Sequence, residues 1–306
     1  MNNEIDVRLY DSFSDIPFGG NIAGIVFERD EFGLDDKSRQ LIARELAAPT
    51  TGFLKQINNN EFSIQFFSST SEMDMCGHVT IAAFAAAYDE NKIVLDNNNN
   101  AEIILSTKAG KIKISISKNS KYKVHIQIKQ RPPNFERFDL DEDVFVKNLG
   151  IRRSELSENL PIGIVSTGLR HLFVGLINIE TLSAIKTNDE ALFEFSRINK
   201  IDTIGLYAMS KVTGITLRLR DFCHGVGNPE ESASGTTNGA LACHLTKFGI
   251  LSPSKKGKVK MVAQQGFEMK RPSIVKTELT VNEKLNITDV YVSGSAYRVM
   301  SGKLYY

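Results

Sequence analysis

One stretch of the sequence, residues 73–88, constrains the fold of this chain more than any other. It reads Met-Asp-Met-Cys-Gly-His-Val-Thr-Ile-Ala-Ala-Phe-Ala-Ala-Ala-Tyr, and almost nothing in its second half is polar. A helix that is apolar on every side is usually buried at the centre of a domain. Its start carries Cys76, Gly77 and His78 beside free backbone N–H groups, which favour a carboxylate or phosphate. The stretch therefore predicts a central helix whose N-terminus receives a small anionic ligand.

A second stretch, residues 234–248, has the same character. It opens with the small residues Ser234, Gly235 and Thr236 and is followed by Gly249, a residue that commonly ends helices. Each half of the chain thus has strand signals on both sides of one helix of small residues, which indicates an internal duplication without clear sequence identity. If the two helix starts face one another across a cleft, their N–H groups converge on one ligand.

Alternation of apolar and polar residues predicts strands before and after both helices. The predicted strands cover residues 5–13, 23–27, 51–54, 62–67, 112–116, 124–128, 162–166, 171–177, 204–209 and 215–219, and residues 257–306 are rich in strand signals. Further helices are predicted over 38–47, with Asp35 as the N-cap, and over 190–198, and turns at 96–100 and 118–121.

The run Arg131-Pro132-Pro133 interrupts the strand pattern and marks a domain boundary. We therefore predict an N-terminal domain over residues 1–130 and a C-terminal domain over residues 131–306.

Charge and cysteine content narrow the function. The 306 residues include 37 lysines and arginines against 36 aspartates and glutamates, so the formal charge of +1 gives no electrostatic reason to bind nucleic acid or an anionic membrane. No apolar run approaches the ~20 residues that span a bilayer, and the first residues lack the pattern of a signal peptide. The three cysteines have no metal-ligand spacing, which favours a reduced, cytoplasmic setting and no metal. Small molecules are the expected partners.

Five motifs, in order along the chain, resemble the phenazine-biosynthesis isomerase-like (PhzF-like) proteins of the diaminopimelate epimerase and proline racemase fold. They are Phe18-Gly19-Gly20-Asn21 followed by Ala23, Cys76-Gly77-His78-Val79-Thr80, Glu230-Glu231-Ser232-Ala233-Ser234-Gly235-Thr236, Gln265-Gly266 with Arg271-Pro272-Ser273, and Gly294 with Gly302. The resemblance spans nearly the whole chain. It implies a cofactor-independent enzyme of two related α+β domains, each with a strongly bent, mostly antiparallel sheet round a central helix, and an active site in the cleft between them.

The resemblance also implies site residues. Gly77 and His78 match the family's glycine-histidine pair at the first helix start, Glu231 takes the place of its acidic residue, and Thr236 that of its small hydroxyl residue. One departure concerns the base, because the family isomerase has a Ser-Glu-Thr segment whose glutamate moves the proton, and this chain has Thr50 at that place. Threonine does not ionise near pH 7 and cannot act as such a base.

Cys76 offers a replacement. The Cys-Gly-His segment resembles that of proline racemases and hydroxyproline epimerases, in which this cysteine is an acid/base. Its partner in those enzymes is a second cysteine, or a threonine in the dehydratases, at the position of Ser234. A helix N-terminus stabilises a thiolate, so we expect Cys76 to remove a proton α to a carboxylate. Because Ser234 is a poor base, a one-base isomerisation or a dehydration is favoured over symmetric racemisation.

Each assignment has a structural alternative. Cys76 can be a small buried apolar residue, and His78 a core histidine bonded to the backbone. Glu231 can complement a helix dipole, while Ser234 and Thr236 can be helix caps. The other cysteines and histidines are interpreted as structural, apart from His224, a loop residue that can line the cleft.

The preferred hypothesis is an isomerase or epimerase that moves a proton next to the carboxylate of a small amino-acid-like or cyclic acid. Cys76, His78 and Glu231 are its expected catalytic residues. The expected substrate contacts are Asn21, which can otherwise be a turn residue, Thr50, Gly77, Ser234, Gly235 and Thr236. The alternatives are a hydroxyproline-type dehydratase and a small-acid-binding protein that lost the catalytic base. A homodimer is an expectation only, because no residue pattern determines the oligomeric state.

Overall fold

The computed structural model describes residues 4–28, 33–118 and 123–306. Its strands are β1 (Glu4–Ser12), β2 (Asn21–Phe27), β3 (Thr50–Asn58), β4 (Glu61–Ser68), β5 (Glu72–Met73), β6 (Asn100–Thr107), β7 (Gly110–Lys118), β8 (Val124–Lys129), β9 (Asn134–Glu136), β10 (Gly163–Ser166), β11 (Arg170–Gly175), β12 (Thr203–Met209), β13 (Leu217–Cys223), β14 (Asn228–Glu231), β15 (Lys258–Gln265), β16 (Ser273–Val281), β17 (Ile287–Gly294) and β18 (Ala296–Tyr305).

The helices are α1 (Asp36–Leu46), α2 (Gly77–Asp89), α3 (Glu142–Leu149), α4 (Ile179–Ala184), α5 (Asp189–Asn199) and α6 (Gly235–Lys247), with short 3-10 helices at Arg153–Glu155 and His224–Val226. Asp35 caps α1 as predicted, since its carboxylate accepts a hydrogen bond from the Ser38 N–H at 2.8 Å. Within the described ranges, no helix is long and apolar enough to cross a membrane. Most of the turn predicted at 118–121 lies outside the described residues.

The chain divides into two compact units. Unit 1 comprises the chain up to Lys129 together with Ser293–Tyr306, and unit 2 comprises Gln130–Val292. The first boundary lies one residue from the predicted one. Residues 293–306, however, belong to unit 1 and not to the predicted C-terminal domain. The reason is that β18 pairs antiparallel along the whole of β1, so its backbone hydrogen bonds are made in unit 1.

In unit 1 a single sheet bends round α2. The strand order is β18, β1, β2, β3, β4, β6, β7, β8, with β5 beside β4, and only the β2–β3 and β4–β6 pairs among these are parallel. The helix contacts β18 and β1 at one end of this order and β8 at the other, as well as β2 and β3. A sheet whose two end strands touch the same helix must curve round it.

Small side chains explain how the sheet closes on α2. Every residue from Val79 to Ala87 is buried, and five of these nine are alanines. At Gly52 of β3, an added Cβ atom would lie 2.6 Å from Cγ1 of Val79. The missing side chain at Gly52 therefore sets the distance between this strand and the helix, and the apolar helix predicted from residues 73–88 is central to its unit.

Unit 2 repeats the plan round α6. Its strand order is β9, β10, β11, β12, β13, β15, β16, with β14 beside β13, and the β11–β12 and β13–β15 pairs are parallel. The helix contacts strands near both ends of this order, β10 and β16, and β11, β12 and β15 between them. Ten of its thirteen residues are buried. The two units thus confirm the predicted α+β fold with a bent sheet round a helix.

The sheet of unit 2 is covered on its other face by α3, α4 and α5. Phe145, Leu182 and Leu192 of these helices pack against Phe222 and other apolar side chains of the sheet. On the opposite face of β13, Leu219 packs with residues of α6. β13 is therefore buried on both faces. The sequence analysis missed α3 and α4, because eight and six residues are too few for a clear helical period.

Candidate active site

The start of α2 holds the first group of predicted site residues. Cys76 is its N-cap residue, with an extended backbone (φ −143°, ψ 112°), and the side chain makes no capping hydrogen bond. The Sγ atom of Cys76 instead lies 3.4 Å from Nδ1 of His78. Nδ2 of Asn21, the first residue of β2, lies 3.4 Å from the same ring nitrogen. The structure thus brings Cys76, His78 and Asn21 together.

The imidazole of His78 is neutral at pH 7. Desolvation lowers the pKa of His78 to about 4, against the opposing effect of a hydrogen bond to the backbone of Ile22. By surface area the residue is only half-buried, so the pKa shift reflects protein atoms close round the ring. Because the Asn21 amide nitrogen can only donate, Nδ1 accepts and the ring proton resides on Nε2. The neutral ring lies beside Sγ and orients the thiol by contact, without forming an imidazolium–thiolate pair.

Gly77 and Thr50 have different surroundings. A Cβ atom at Gly77, the first residue of α2, would meet no atom within 4 Å, so nothing packs against this side of the residue. Thr50 is buried at the start of β3, and its hydroxyl donates to Sδ of Met73 at 3.6 Å. Thr50 therefore supplies no base in place of the family's glutamate, and its expected contact with substrate remains a prediction.

The start of α6 holds the second group. Ser234 is the N-cap, with an extended backbone (φ −133°, ψ 118°) like that of Cys76, and its hydroxyl accepts from the Thr237 N–H at 3.3 Å. Oγ of Ser234 lies 3.2 Å from the Thr236 hydroxyl, and both residues are half-buried. Gly235 begins the helix. Ser234 is thus a helix cap, as the structural alternative predicts, and it still presents a hydroxyl at the helix start.

A buried polar cluster lies directly behind this cap, and the sequence analysis missed it. The Thr237 hydroxyl donates to Oδ2 of Asp221 at 2.6 Å and lies 2.9 Å from Oγ of Ser234. Nδ1 of His171 lies 2.6 Å from the Thr203 hydroxyl and 3.4 Å from that of Thr237. Thr237, Asp221 and His171 are completely buried, and Thr203 nearly so.

The alternation of side chains along β13 is the sequence pattern from which this cluster could have been predicted. Side chains of a strand alternate between its two faces, so Asp221 shares the face of Leu217 and Leu219, two residues that pack with α6. A charged residue at an inward strand position is rarely left unpaired. Because the sequence analysis ended this strand at Leu219, Asp221 was not placed on it.

Burial dominates the ionisation of this cluster. Desolvation raises the pKa of Asp221 to about 7, the negative charge of Glu231 adds to the rise, and the hydrogen bond from Thr237 opposes it. Desolvation lowers the pKa of His171 to about 3. The imidazole is therefore neutral at pH 7, while the carboxyl group of Asp221 is close to its midpoint between acid and carboxylate.

Glu231 lies at the end of β14, half-buried, and accepts a hydrogen bond from Nδ2 of Asn228 at 2.7 Å. The first turn of α6 contains no acidic residue, so Glu231 is not a charge placed within the helix start. His224 begins a 3-10 helix, and its Nε2 lies 3.1 Å from Oδ1 of Asp189 in α5. This contact holds the ring of His224 against the first residue of α5.

Burial keeps the other two cysteines, Cys223 and Cys243, unreactive. Cys76, Cys223 and Cys243 form no disulfide. Burial raises the pKa of Cys223 well above its usual value and that of Cys243 to about 12, so both stay protonated near pH 7. In the ranges that the structure describes, no group of three or more histidine, cysteine, aspartate or glutamate side chains could hold a metal ion.

Comparison with known proteins identifies the class of enzyme to which the chain belongs. A relative from Clostridium acetobutylicum, named an uncharacterized isomerase, is 31% identical over 309 residues and covers 99% of each chain. The trans-2,3-dihydro-3-hydroxyanthranilate isomerase of Pseudomonas fluorescens is 28% identical over 288 residues, which are 94% of each chain. Residues 10–302 match the family described as phenazine biosynthesis-like protein (PhzC-PhzF). The chain belongs to this family, and it is an enzyme of the isomerase type.

Solved structures agree on the fold. The phenazine biosynthesis protein of the PhzF family from Bacillus anthracis superimposes with a TM-score of 0.87 at 23% identity, over 99% of both chains. A hydroxyproline epimerase from Agrobacterium vitis superimposes with a TM-score of 0.64 at 13% identity, over 99% of this chain and 92% of its own. The resemblance stated from the sequence motifs is therefore confirmed for family and fold.

Proposed function

We propose that this enzyme moves a proton at the carbon next to the carboxylate of a small amino-acid-like or cyclic acid, without a cofactor. The family membership supports an isomerase or epimerase reaction. The name of one relative describes a small cyclic acid, a dihydro-hydroxyanthranilate, as its substrate. The α2 start offers what such a reaction needs, because free N–H groups and a thiol lie at one place.

One observation carries the proposal. Cys76 occupies the N-cap of α2 and yet makes no capping bond, and its Sγ atom is positioned by the neutral ring of His78 at 3.4 Å. An N-cap residue usually satisfies a helix N–H with an oxygen atom. A thiol at this position can lose its proton to solvent, because the helix N–H groups stabilise the thiolate, and the thiolate can then take a proton from a bound acid while Asn21 and His78 fix its direction.

The N–H groups beside Gly77 hold the carboxylate of the substrate in this proposal. When the thiolate of Cys76 removes the α-proton, negative charge spreads from that carbon into the carboxylate. Backbone donors that already point at the carboxylate stabilise this charge more in the transition state than in the ground state. The uncrowded Cβ position of Gly77, where an added atom would meet nothing within 4 Å, is compatible with a ligand close to this residue.

Deuterium exchange tests the proposal. A panel of amino, imino and hydroxy acids is incubated with the enzyme in deuterated water, and loss of the α-proton is followed by proton NMR. On any acid that exchanges, Cys76→Ala should lower the rate by on the order of 100-fold or more. Cys243→Ala, which removes a buried thiol of α6, should keep the parent rate. Exchange by Cys76→Ala at the parent rate would show that the cysteine does not carry the reaction.

The same spectra separate isomerisation from dehydration. A threonine stands at the position of Ser234 in the dehydratases that the sequence resembles, and a hydroxyl is present here too. Dehydration of a hydroxyproline would remove the signals of the hydroxyl-bearing carbon, whereas epimerisation would convert one diastereomer into the other. A thermal shift with an acid that neither exchanges nor changes would indicate binding without catalysis.

The contribution of α6 to the same substrate stays a prediction. Gly235, Thr236, Ser234 and Glu231 are expected to bind the acid whose exchange requires Cys76. Thr236→Ala should then raise KM several-fold for that acid and leave the unfolding midpoint nearly unchanged. An unchanged KM would remove Thr236 from the site.

We also propose a cellular location and an oligomeric state for the protein. Three cysteines without a disulfide support a cytoplasmic setting, in which thiols stay reduced. We propose a homodimer, and light scattering coupled to size-exclusion chromatography measures its mass directly. A monomeric mass at micromolar concentration would contradict it.

A further inference from the structure

The loop between β1 and β2 begins and ends beside the α2 start. Ser12, the last residue of β1, donates its hydroxyl hydrogen to the backbone oxygen of His78 at 2.7 Å. Asn21, the first residue of β2, reaches the ring of the same histidine at 3.4 Å. Residues 13–20, which we call the β1–β2 loop, therefore have both flanking residues in contact with His78, whose ring contacts Cys76.

Hydrogen bonds and close packing hold the β1–β2 loop in place. The N–H of Phe13 donates to the backbone oxygen of Ser295 at 2.8 Å, and the ring of Phe13 is buried. The Ser295 hydroxyl donates to Oδ1 of Asp15 at 2.6 Å. At the end of the loop, Gly20 has a φ of 61°, and an added Cβ atom there would clash with the backbone oxygen of Ser12. The loop is thus fixed at both ends.

Phe18 lies within this loop in a strained backbone conformation. Its φ is 65°, in the left-handed region, where a large side chain is crowded by the backbone. The N–H of Phe18 donates to Oδ2 of Asp11 at 2.6 Å, and Asp11 is a buried residue of β1. A carboxyl oxygen that accepts a backbone N–H over so short a distance makes a strong hydrogen bond. Asp11 therefore holds Phe18 in the strained conformation.

The conformation displays the ring of Phe18 to solvent, since 72% of this residue is exposed. A glycine here would have neither the backbone strain nor the exposed apolar area. Both of these features disfavour the fold, so the ring needs another explanation. Strained residues that the surrounding structure holds in place are concentrated at sites that bind ligands.

The ring of Phe18 is within reach of a ligand at the α2 start. Three peptide units connect Phe18 to Asn21, and they span at most about 11 Å. Asn21 contacts the ring of His78. From the other side, Asp11 holds the Phe18 N–H, and the next residue, Ser12, is bonded to the His78 oxygen. An acid bound at the helix start can therefore place a ring of its own against Phe18.

We propose that Phe18 determines substrate specificity, because its ring packs against the ring of an acid bound at the α2 start. The proposal rests on the proposed function and selects, among the acids considered there, those that carry a ring. Ring–ring contact buries apolar surface of both partners, and aromatic side chains are common in ligand sites. The helix N–H groups hold the carboxylate while Phe18 covers the apolar part. Acids with a ring therefore bind more tightly than acids without one.

An NMR titration of the ¹⁵N-labelled protein provides the first test. Anthranilate carries an aromatic ring and acetate does not, and both are anions at pH 7. Shifts of the backbone amide signals of Gly77 and His78 report binding at the α2 start. The parent should bind anthranilate on the order of 10-fold more tightly than acetate. No binding of anthranilate there, or no preference for it over acetate, would overturn the proposal.

Substitutions of Phe18 assign the preference to its ring. Phe18→Gly should weaken anthranilate binding by on the order of 10-fold and change acetate binding by less than about 2-fold. Phe18→Tyr keeps a ring and should retain the parent affinity. Val94→Ala is the control for loss of an exposed apolar side chain, because Val94 is 86% exposed and follows the other end of α2. Equal affinity of Phe18→Gly and the parent for anthranilate would contradict the proposal.

Protein stability distinguishes a ligand contact from a structural role. Phe18→Gly relieves the backbone strain and removes an exposed ring, so the midpoint of urea denaturation should not fall. Phe18→Asn, whose side chain tolerates the left-handed region, should give the same result without the added freedom of glycine. Binding of anthranilate is thus lost while stability is kept. Midpoints clearly below that of the parent in both variants would show that the ring supports the fold and would overturn the proposal.

Failure of this proposal and failure of the proposed function are distinguishable, because anthranilate has no α-proton and its binding requires no proton transfer. Loss of anthranilate binding in Phe18→Gly, with no α-proton exchange of any acid by the parent, counts only against the proposed function. Exchange that requires Cys76, with the same kcat/KM for a ring-bearing acid in Phe18→Gly and the parent, counts only against the role of Phe18.

Discussion

The two helix starts follow one backbone plan and differ in the polar groups that they carry. Cys76 and Ser234 are N-cap residues with nearly the same φ and ψ, and each begins a helix of thirteen residues. At the α2 start the thiol is the proposed acid/base, and in the sheet of this unit Phe66 is paired with Gly52, two residues after the start of β3. At the α6 start the cap is a serine, and Asp221 is paired with Gly205, likewise two residues after the start of β12. The two units thus differ by a buried ring and a buried carboxyl group at one position of the shared plan.

Moving the carboxyl group into unit 1 should break the fold. Phe66→Asp removes a buried ring, which alone costs about 3–5 kcal/mol, and adds a charge that has no partner. The loss should approach the whole stability of a typical domain. Urea denaturation followed by circular dichroism measures it. Phe66→Leu, with less than about 2 kcal/mol lost, is the control, and a parent-like midpoint for Phe66→Asp would show that this position tolerates charge in both units.

Removing the carboxyl group from unit 2 should change how stability depends on pH. The folded pKa of Asp221 is about 7 against 3.8 ordinarily, so between these values the folded state holds a proton that the unfolded state has lost. The free energy of unfolding therefore falls by a few kcal/mol as pH rises from about 4 to about 7. Asp221→Asn should lack this fall and be more stable than the parent at about pH 8.

His78 and His171 make the free energy of unfolding depend on pH in the opposite direction, so their contribution has to be subtracted. The pKa values of His78 and His171 are lowered to about 4 and about 3, so their contribution to stability is lost as pH falls below about 6.5. Both groups are present in parent and variant. The difference in unfolding free energy between the two proteins at each pH thus isolates Asp221, and a difference that does not vary with pH would contradict its raised pKa.

Alanine substitutions at two glycines, Gly52 of β3 and Gly77 of α2, compare a closely packed position with an uncrowded one. Gly52→Ala would place a Cβ atom 2.6 Å from Cγ1 of Val79 and should cost about 1–3 kcal/mol, measured by chemical denaturation. Gly77→Ala places its methyl group where no atom lies within 4 Å, so stability should not fall. If Gly52→Ala is tolerated without loss, the sheet is not held against the helix at this point.

The smallest expected effects on stability come from substitutions of the two N-cap residues, Cys76 and Ser234. Cys76→Ser introduces an oxygen acceptor at an extended N-cap and should stabilise the protein by about 0.5–1 kcal/mol, while exchange activity falls. Ser234→Ala removes the existing cap and should destabilise it by about 1 kcal/mol. Thermal unfolding of both variants checks the signs. A less stable Cys76→Ser would mean that the thiol contributes packing that a hydroxyl cannot replace.

The sequence was sufficient for the fold and for the α2 start. The almost entirely apolar run after His78 predicts a central helix, and the motifs in order along the chain predict the family. The cap of α1 at Asp35 and the strand patterns also follow from local chemistry. These features could be predicted because each depends on residues that are close together in sequence.

The cluster behind Ser234 could not be predicted in the same way. Asp221, His171, Thr203 and Thr237 come from three strands and a helix, and their contacts depend on strand register. His171 alone resembles any buried histidine. The assignment of residues 293–306 failed for a related reason, because the pairing of β18 with β1 joins residues almost 300 positions apart. Local patterns do not contain such pairings.

That long-range pairing has a consequence for the order of folding. Unit 2 is one continuous segment, Gln130–Val292, whereas unit 1 needs β1 and β18, which precede and follow it. At about 5–20 residues per second, a ribosome takes on the order of 10–60 seconds to add the residues between these two strands. During that time the edge of β1 that later receives β18 offers unpaired backbone groups, as an edge strand does. Unit 2 can thus complete its sheet during synthesis while unit 1 still awaits its last strand, and this interval is when the nascent chain most needs protection from aggregation.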